Sequence, residues 1–436
     1  MRRHAGACCL AADQHLRSAA QVSTSRNGSR CCTASSRSEG ARNSPGHRLC
    51  FVPCSAAPGG LRPPRCGIIA PMPRLTLAHL RRYAAARTLA SPTTLMRAID
   101  RLGFVQADPI RAPARAQDLI LRHRVRDYCA GDLERRYPLL PVDEDCLVNY
   151  GFLPRVHLPL LHPRRPRSPW DADTQARAEA LLAFVRERRR VHPREVEVHF
   201  AHGRITNYWG GTSSATTQLL DRMHYRGLLR VARRDKGIRL YEAALHQEVD
   251  DSPAAQAQRA ATLMELVVGQ YAPLPATSLG AVVRMLDYGA PQLEQAIRAA
   301  LRGARERLEA AEVDGLWWYW PAGENPASRR HEPEDRVRLL APFDPVVWDR
   351  TRFELLWGWD YRFEAYTPAA RRRFGYYALP VLWRERVIGW ANLAWQDGRL
   401  STSGGYVTGA APAEPAFEAA LQEELAAMSR FLAARP

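Results

Sequence analysis

One segment of this 436-residue chain brings a carboxylate and an amide out of an apolar extended stretch together: Gly103-Phe104-Val105-Gln106-Ala107-Asp108-Pro109-Ile110. Residues two apart in an extended chain project to the same face, so Gln106 and Asp108 are expected to point to one side. Pro109 disfavours helical geometry at the aspartate and holds it extended. An amide and a carboxylate aimed at one point can orient a water and take up its developing positive charge. That is the requirement for hydrolysing a glycosidic bond whose leaving base is already cationic. Arg111 and Arg115 follow at once and are candidate phosphate ligands. The pattern leaves a second reading open, because Asp-Pro is also a helix N-cap followed by proline at the first helical position.

Two further groups of cations could meet a polyanion. Arg233, Arg234 and Lys236 crowd the Asp-Lys-Gly turn of LLRVARRDKGIRLYEAA, where phosphate contact competes with a purely protein-binding role. Arg371, Arg372 and Arg373 stand together in TPAARRR, expected as the tip of a hairpin between two aromatic strands. Three adjacent cations on a tip suit a phosphate or a groove; an ordinary solvated turn is the alternative.

Composition agrees with a polyanionic partner. Basic residues number 62 against 45 acidic ones, and Lys236 is the sole lysine. A GC-rich coding sequence explains arginine in place of lysine but not the surplus, which favours double-stranded DNA through counterion release. A single lysine on a turn makes Schiff-base chemistry a poor candidate. Seven of nine cysteines precede residue 67, and no CxxC pair occurs, so no metal, no cofactor and an intracellular body are expected. Phosphate-loop, dinucleotide-binding and GxSxG patterns are missing. No apolar run reaches the roughly 18–20 residues of a membrane span.

The elements that must hold these residues read as α+β. Residues 1–71 are Arg-rich, acid-poor and aperiodic, which fits a transit-type leader or sequence upstream of a start at Met72. A first unit (72–165) opens with the helical LTLAHLRRYAAART. A second helix begins at Ser91-Pro92 and stops at Gly103, and FVQAD is its strand. The Pro/Arg-rich HPRRPRSPW (162–170) is a linker. A second unit (170–247) runs helix, helix, helix, basic hairpin, the order of a winged helix, with Thr212 to Thr217 as the start of its recognition helix. A fainter third unit (253–335) repeats the order and closes on the strand LEAAEVDGLWWYW. The last segment (336–436) alternates as strands do, through RFELLWGWDYRFEAY and FGYYALPVLWRERVIGWANLAW, before an amphipathic closing helix.

Two motifs, RLGFVQADPIRAPARAQDLILRHRV and LLAPFDPVVWDRTRFELLWGWDYRFEAYTPAARRRFGYYALPVLW, resemble the winged-helix DNA glycosylases of the AlkZ/YcaQ (AlkX) type, which unhook interstrand crosslinks. The likeness runs from about Leu75 to Ala394. It implies three tandem winged helices and a C-terminal β-rich domain in a C-shaped clamp, acting as a monomer on DNA in the cytoplasm, at the nucleoid. It also implies a catalytic Gln-x-Asp pair at Gln106 and Asp108, with the amide positioning the water and the acid activating or electrostatically supporting it. The substrate would be an alkylated purine, crosslinked ones included, and the 367–373 segment would correspond to a DNA-probing hairpin. Where many members carry Trp-Ala-His before Leu-Pro, this chain has Cys146-Leu147-Val148-Asn149-Tyr150-Gly151-Phe152-Leu153-Pro154, which leaves the substrate range open.

The competing class is a non-catalytic winged-helix regulator in which Asp108 only caps a helix. Geometry separates the two. An enzyme should open Gln106 and Asp108 into the basic concavity that also holds the 367–373 segment, and a regulator should bury or separate them.

Overall fold

The computed structural model describes residues 74–89, 91–200, 203–206, 212–246 and 248–433. The leader reading of residues 1–71 lies outside them.

Thr76 starts helix α1 (Leu77–Thr88) by accepting from the His79 amide. Helix α2 (Leu95–Leu102) is capped by Thr94, three residues beyond the expected Ser91-Pro92 start, and ends at Gly103 with φ +68°. Strand β1 is only Val105–Gln106. Helices α3 (Ala116–Leu121) and α4 (Asp132–Arg136) follow, then β2 (Val142–Cys146) and β3 (Tyr150–Pro154). The antiparallel sheet is ordered β1-β3-β2. A one-turn helix α5 (Leu158–Leu161) leads into the Pro/Arg-rich segment. That segment is irregular, as its composition demands, but it is no loose linker. The Arg164 guanidinium is fully buried and donates to the Gly289 carbonyl at 2.6 Å and to Asp145 at 3.1 Å.

The next stretch holds α6 (Ala172–Arg188), α7 (Pro193–Phe200), strands β4 (Arg204–Thr206) and β5 (Thr212–Ser214), and α8 (Ala215–Tyr225). Helix α8 therefore starts later than expected, because Ser214 turns its side chain to the Thr217 amide as an N-cap and the residues before it pair with β4. Strands β6 (Leu229–Asp235) and β7 (Ile238–Ala243) form the expected hairpin. Lys236 and Gly237 both take positive φ in its two-residue turn.

Helices α9 (Pro253–Tyr271), α10 (Ala276–Gly289), α11 (Glu294–Arg302) and the one-turn α12 (Ala304–Arg307) flank a small sheet ordered β8-β10-β9. Its strands are β8 (Leu274–Pro275), β9 (Leu308–Val313) and β10 (Leu316–Pro321), so LEAAEVDGLWWYW is a hairpin around Asp314-Gly315 and not one strand.

The C-terminal segment carries the largest correction. RFELLWGWDYRFEAY is helix α13 (Arg350–Trp357) followed by irregular chain, not a strand. Asp349 caps it by accepting from the Arg352 amide, and Gly358 stops it with φ +69°. Its buried residues, Arg352, Phe353 and Leu356, fall on one helical face. The aromatic alternation suggests strands, but the two caps outweigh that β-propensity and set a helix. The sheet order is β11-β12-β13-β14, from β11 (Val337–Leu339), β12 (Leu379–Trp383), β13 (Arg386–Gln396) and β14 (Arg399–Tyr406). The closing helix α14 (Pro415–Ala433) packs on it through Phe417, Met428 and Phe431.

Apolar cores cross the expected unit boundaries. One joins Leu119, Phe152 and Leu379 with α14, and a second joins Leu80 and Phe104 of the first stretch to Val267 and Trp318. The residues of α6, α8 and the β6–β7 hairpin form a core of their own.

Candidate catalytic pair and basic surface

Sheet pairing places the acid and amide. Gln106 sits opposite Gly151 on β3, and the Ala107 amide donates to the Tyr150 carbonyl at 3.0 Å. Gly151 is required there, since a Cβ on it would lie 2.3 Å from the Val105 carbonyl oxygen. Behind the strand, Gln270 donates to the Phe104 carbonyl at 2.6 Å. Past β1 the chain runs without regular structure to α3, so no helix starts at Pro109 and the capping reading of Asp108 falls. Its Oδ1 instead accepts from the Ile110 amide at 2.8 Å, a turn closed two residues on. Its own amide donates to Gln117 Oε1 at 3.2 Å.

Both side chains are buried, each 2% exposed, and neither lines the two cavities of about 580 and 600 Å³. The expectation of an open concavity is therefore not met. Neither Nε2 nor Oε1 of Gln106 has a hydrogen-bond partner among the described residues. Leaving a buried amide unsatisfied costs about 1–3 kcal/mol.

The segment that follows the pair is cationic. Arg111 is exposed, whereas Arg115 is mostly buried and paired with Glu134. Burial, with Arg111 and Arg234 nearby, pulls the Arg115 pKa down to about 10. A Cβ on Gly237 would meet Arg115 Nη2 at 2.8 Å, so the β6–β7 turn lies against this segment.

The cations expected on DNA divide into two sets. Arg233, Lys236, Arg371 and Arg373 are exposed. Arg234 is spent internally: its Nε and Nη2 donate to Glu144 at 2.8 and 2.5 Å. Arg371 belongs to a short turn, Ala369–Arg371, inside irregular chain and not to a hairpin tip. Arg372 donates to the Thr367 carbonyl at 2.8 Å, and Arg373 lies 3.5 Å from Asp360.

Sequence reasoning missed the polar support beneath the site. Asp143, Glu144 and Asp145 are all buried on β2. Glu144 accepts from Tyr137 at 2.8 Å and Tyr150 at 2.7 Å besides Arg234. Asp145 holds His162 at 2.6 Å. Three consecutive acids inside an apolar strand were the signal, since buried carboxylates demand cationic partners.

Burial alone would raise the Glu144 pKa, but Arg234 and Arg239 outweigh it and bring it from 4.5 to about 2. A depressed folded pKa contributes stability that is complete above the unfolded value and fades as pH falls through the folded one. We therefore expect the gap in unfolding free energy between the wild type and Glu144→Gln to be full above about pH 5 and to shrink between 4.5 and about 2. Denaturant titrations at several pH values measure it, and a gap independent of pH would refute the assignment.

A family model described as "DNA glycosylase AlkZ-like" matches residues 99–431. Among solved structures, the Streptomyces sahachiroi DNA glycosylase AlkZ is similar in fold, with a TM-score of 0.55 at 15% identity. The match covers 82% of this chain and 96% of that one. No described helix is long and apolar enough to cross a membrane.

Proposed function

The chain belongs to the AlkZ-like DNA glycosylase family, and on that premise we propose that it is a monofunctional enzyme hydrolysing the N-glycosidic bond of alkylated purines. Crosslinked purines in double-stranded DNA are included. Asp108 supports the attacking water and Gln106 positions it. The carrying observation is the Gln106 amide, buried two residues from Asp108 with both polar atoms unpartnered among the described residues. A scaffold position would be filled more stably by an apolar side chain, whereas a position that receives a water or a sugar needs open donor and acceptor capacity.

An N-alkylated purine leaves as a neutral base from a cationic glycoside, so no acid has to protonate it. The sole lysine is at the β6–β7 turn, so the reaction ends at hydrolysis without strand cleavage. In this reading the three helix-and-hairpin groups (72–165, 170–247, 253–335) act as winged helices and join the C-terminal domain (336–436) in a clamp. Exposed Arg111, Arg233, Lys236, Arg371 and Arg373 contact phosphate, and the protein works as a monomer in the cytoplasm, on the nucleoid.

The 2% exposure of Asp108 favours the other reading, a DNA-binding regulator. Catalysis then requires the segment from Ala107 to Arg115 to open when DNA arrives. Incubation with nitrogen-mustard-treated duplex decides between them. The enzyme releases alkylated guanine and leaves abasic sites in unbroken strands; a regulator binds the duplex and releases nothing.

A further inference from the structure

The cavity of about 580 Å³ lies away from the catalytic pair, among α1, the end of α13, the β12–β13 turn and the segment after β14. Its size suits a small ligand. Three arginines line it, Arg81, Arg384 and Arg386, with Glu385 and Glu414 as the acids. Arg384 takes Glu414 at 2.9 Å and Asp335 at 2.6 Å. Glu385 stands 4.0 Å from Arg82, which also pairs with Glu332 at 3.2 Å. Both acids thus have cations other than Arg81 and Arg386.

Arg386 is exposed and makes no ion pair among the described residues. Arg81 gives its Nε to the Leu356 carbonyl and has no carboxylate of its own within ion-pair distance there. Both line the same cavity, and after burial the Arg386 charge is the main influence lowering the Arg81 pKa. The indole Nε1 of Trp383, 3% exposed, is a buried donor with no partner among the described residues. Arg386 is paired with Trp383 across the β12–β13 turn, so the hairpin backbone places its side chain.

Two guanidinium groups lining one cavity, neither in an ion pair among the described residues, call for an anion with several acceptor oxygens. Arginine forks match phosphate in this way. We propose that this cavity is a phosphate-binding pocket, with Arg81 and Arg386 holding the phosphoryl oxygens. The phosphate belongs either to the DNA backbone or to a free nucleotide or pyrophosphate.

Pyrophosphate is the deciding probe, titrated calorimetrically into the full chain, Arg386→Gln and Arg81→Gln. Arg386 is exposed and unpaired, so its replacement leaves the fold intact, which near-ultraviolet circular dichroism checks. The pocket predicts binding to the wild type that weakens at least ten-fold in both variants. No binding, or equal binding by wild type and Arg386→Gln, overturns the proposal. The source is then read from undamaged duplex and from AMP. A salt slope shallower by about 0.9 in Arg386→Gln assigns the pocket to a backbone phosphate. An unchanged slope, with AMP binding lost in the variant, assigns it to a free nucleotide.

Discussion

Replacing Asp108 by asparagine lowers release of an alkylated purine by ~10²–10⁴-fold, the range a positioned general base contributes, and leaves duplex affinity unchanged. The substitution is close to isosteric. An asparagine oxygen still accepts from the Ile110 amide, and the backbone contact from residue 108 to Gln117 does not involve the side chain. The turn therefore survives and the negative charge is lost. That charge counts for more in this setting than in water, because Asp108 is almost fully buried. Single-turnover assays on a duplex with one alkylated guanine measure the loss. Equal release by the two proteins would remove Asp108 from the chemistry, and Gln106 would have to be examined alone.

Asp344→Ala destabilises the protein by about 3–5 kcal/mol, the cost of stranding a buried charge. Asp344 is wholly buried and binds the Arg124 guanidinium through both oxygens, at 2.8 and 3.0 Å. It also accepts from the Val346 amide at 3.0 Å. Arg124, itself 3% exposed, gives two further donors to the carbonyls of Thr88 and Ile120. One ion pair thus ties the ends of α1 and α3 to the C-terminal segment. Urea unfolding measures the change. A loss under about 1 kcal/mol would mean that the two carbonyls suffice for the guanidinium. Replacing both partners by apolar residues should recover part of the loss, since the pair's desolvation penalty disappears with it.

The two predictions separate two kinds of residue that look alike in the chain. Asp108 and Asp344 each precede a proline, and each accepts from the backbone amide two residues on. Asp344 has an arginine closing both its oxygens. Its partner lies 220 positions away, so no local pattern could mark it as structural.

Local chemistry was enough for many features. Gly103 ends its helix because only a residue tolerant of positive φ fits there, and Lys236-Gly237 makes the β6–β7 turn for the same reason. Helical spacing located α1, α9, α10 and α14, and the Gln-x-Asp pair stood out because two polar side chains interrupted an apolar stretch. Tertiary structure decided the rest. It buried Gln106 and Asp108, and it diverted Arg234 to Glu144, 90 residues away, leaving Arg233 and Lys236 at the surface. It also turned an aromatic stretch that alternates like a strand into α13. Periodicity and caps act over a few residues, so the chain displays them directly. Burial and ion pairing depend on which distant segments meet, and only the folded protein brings those together.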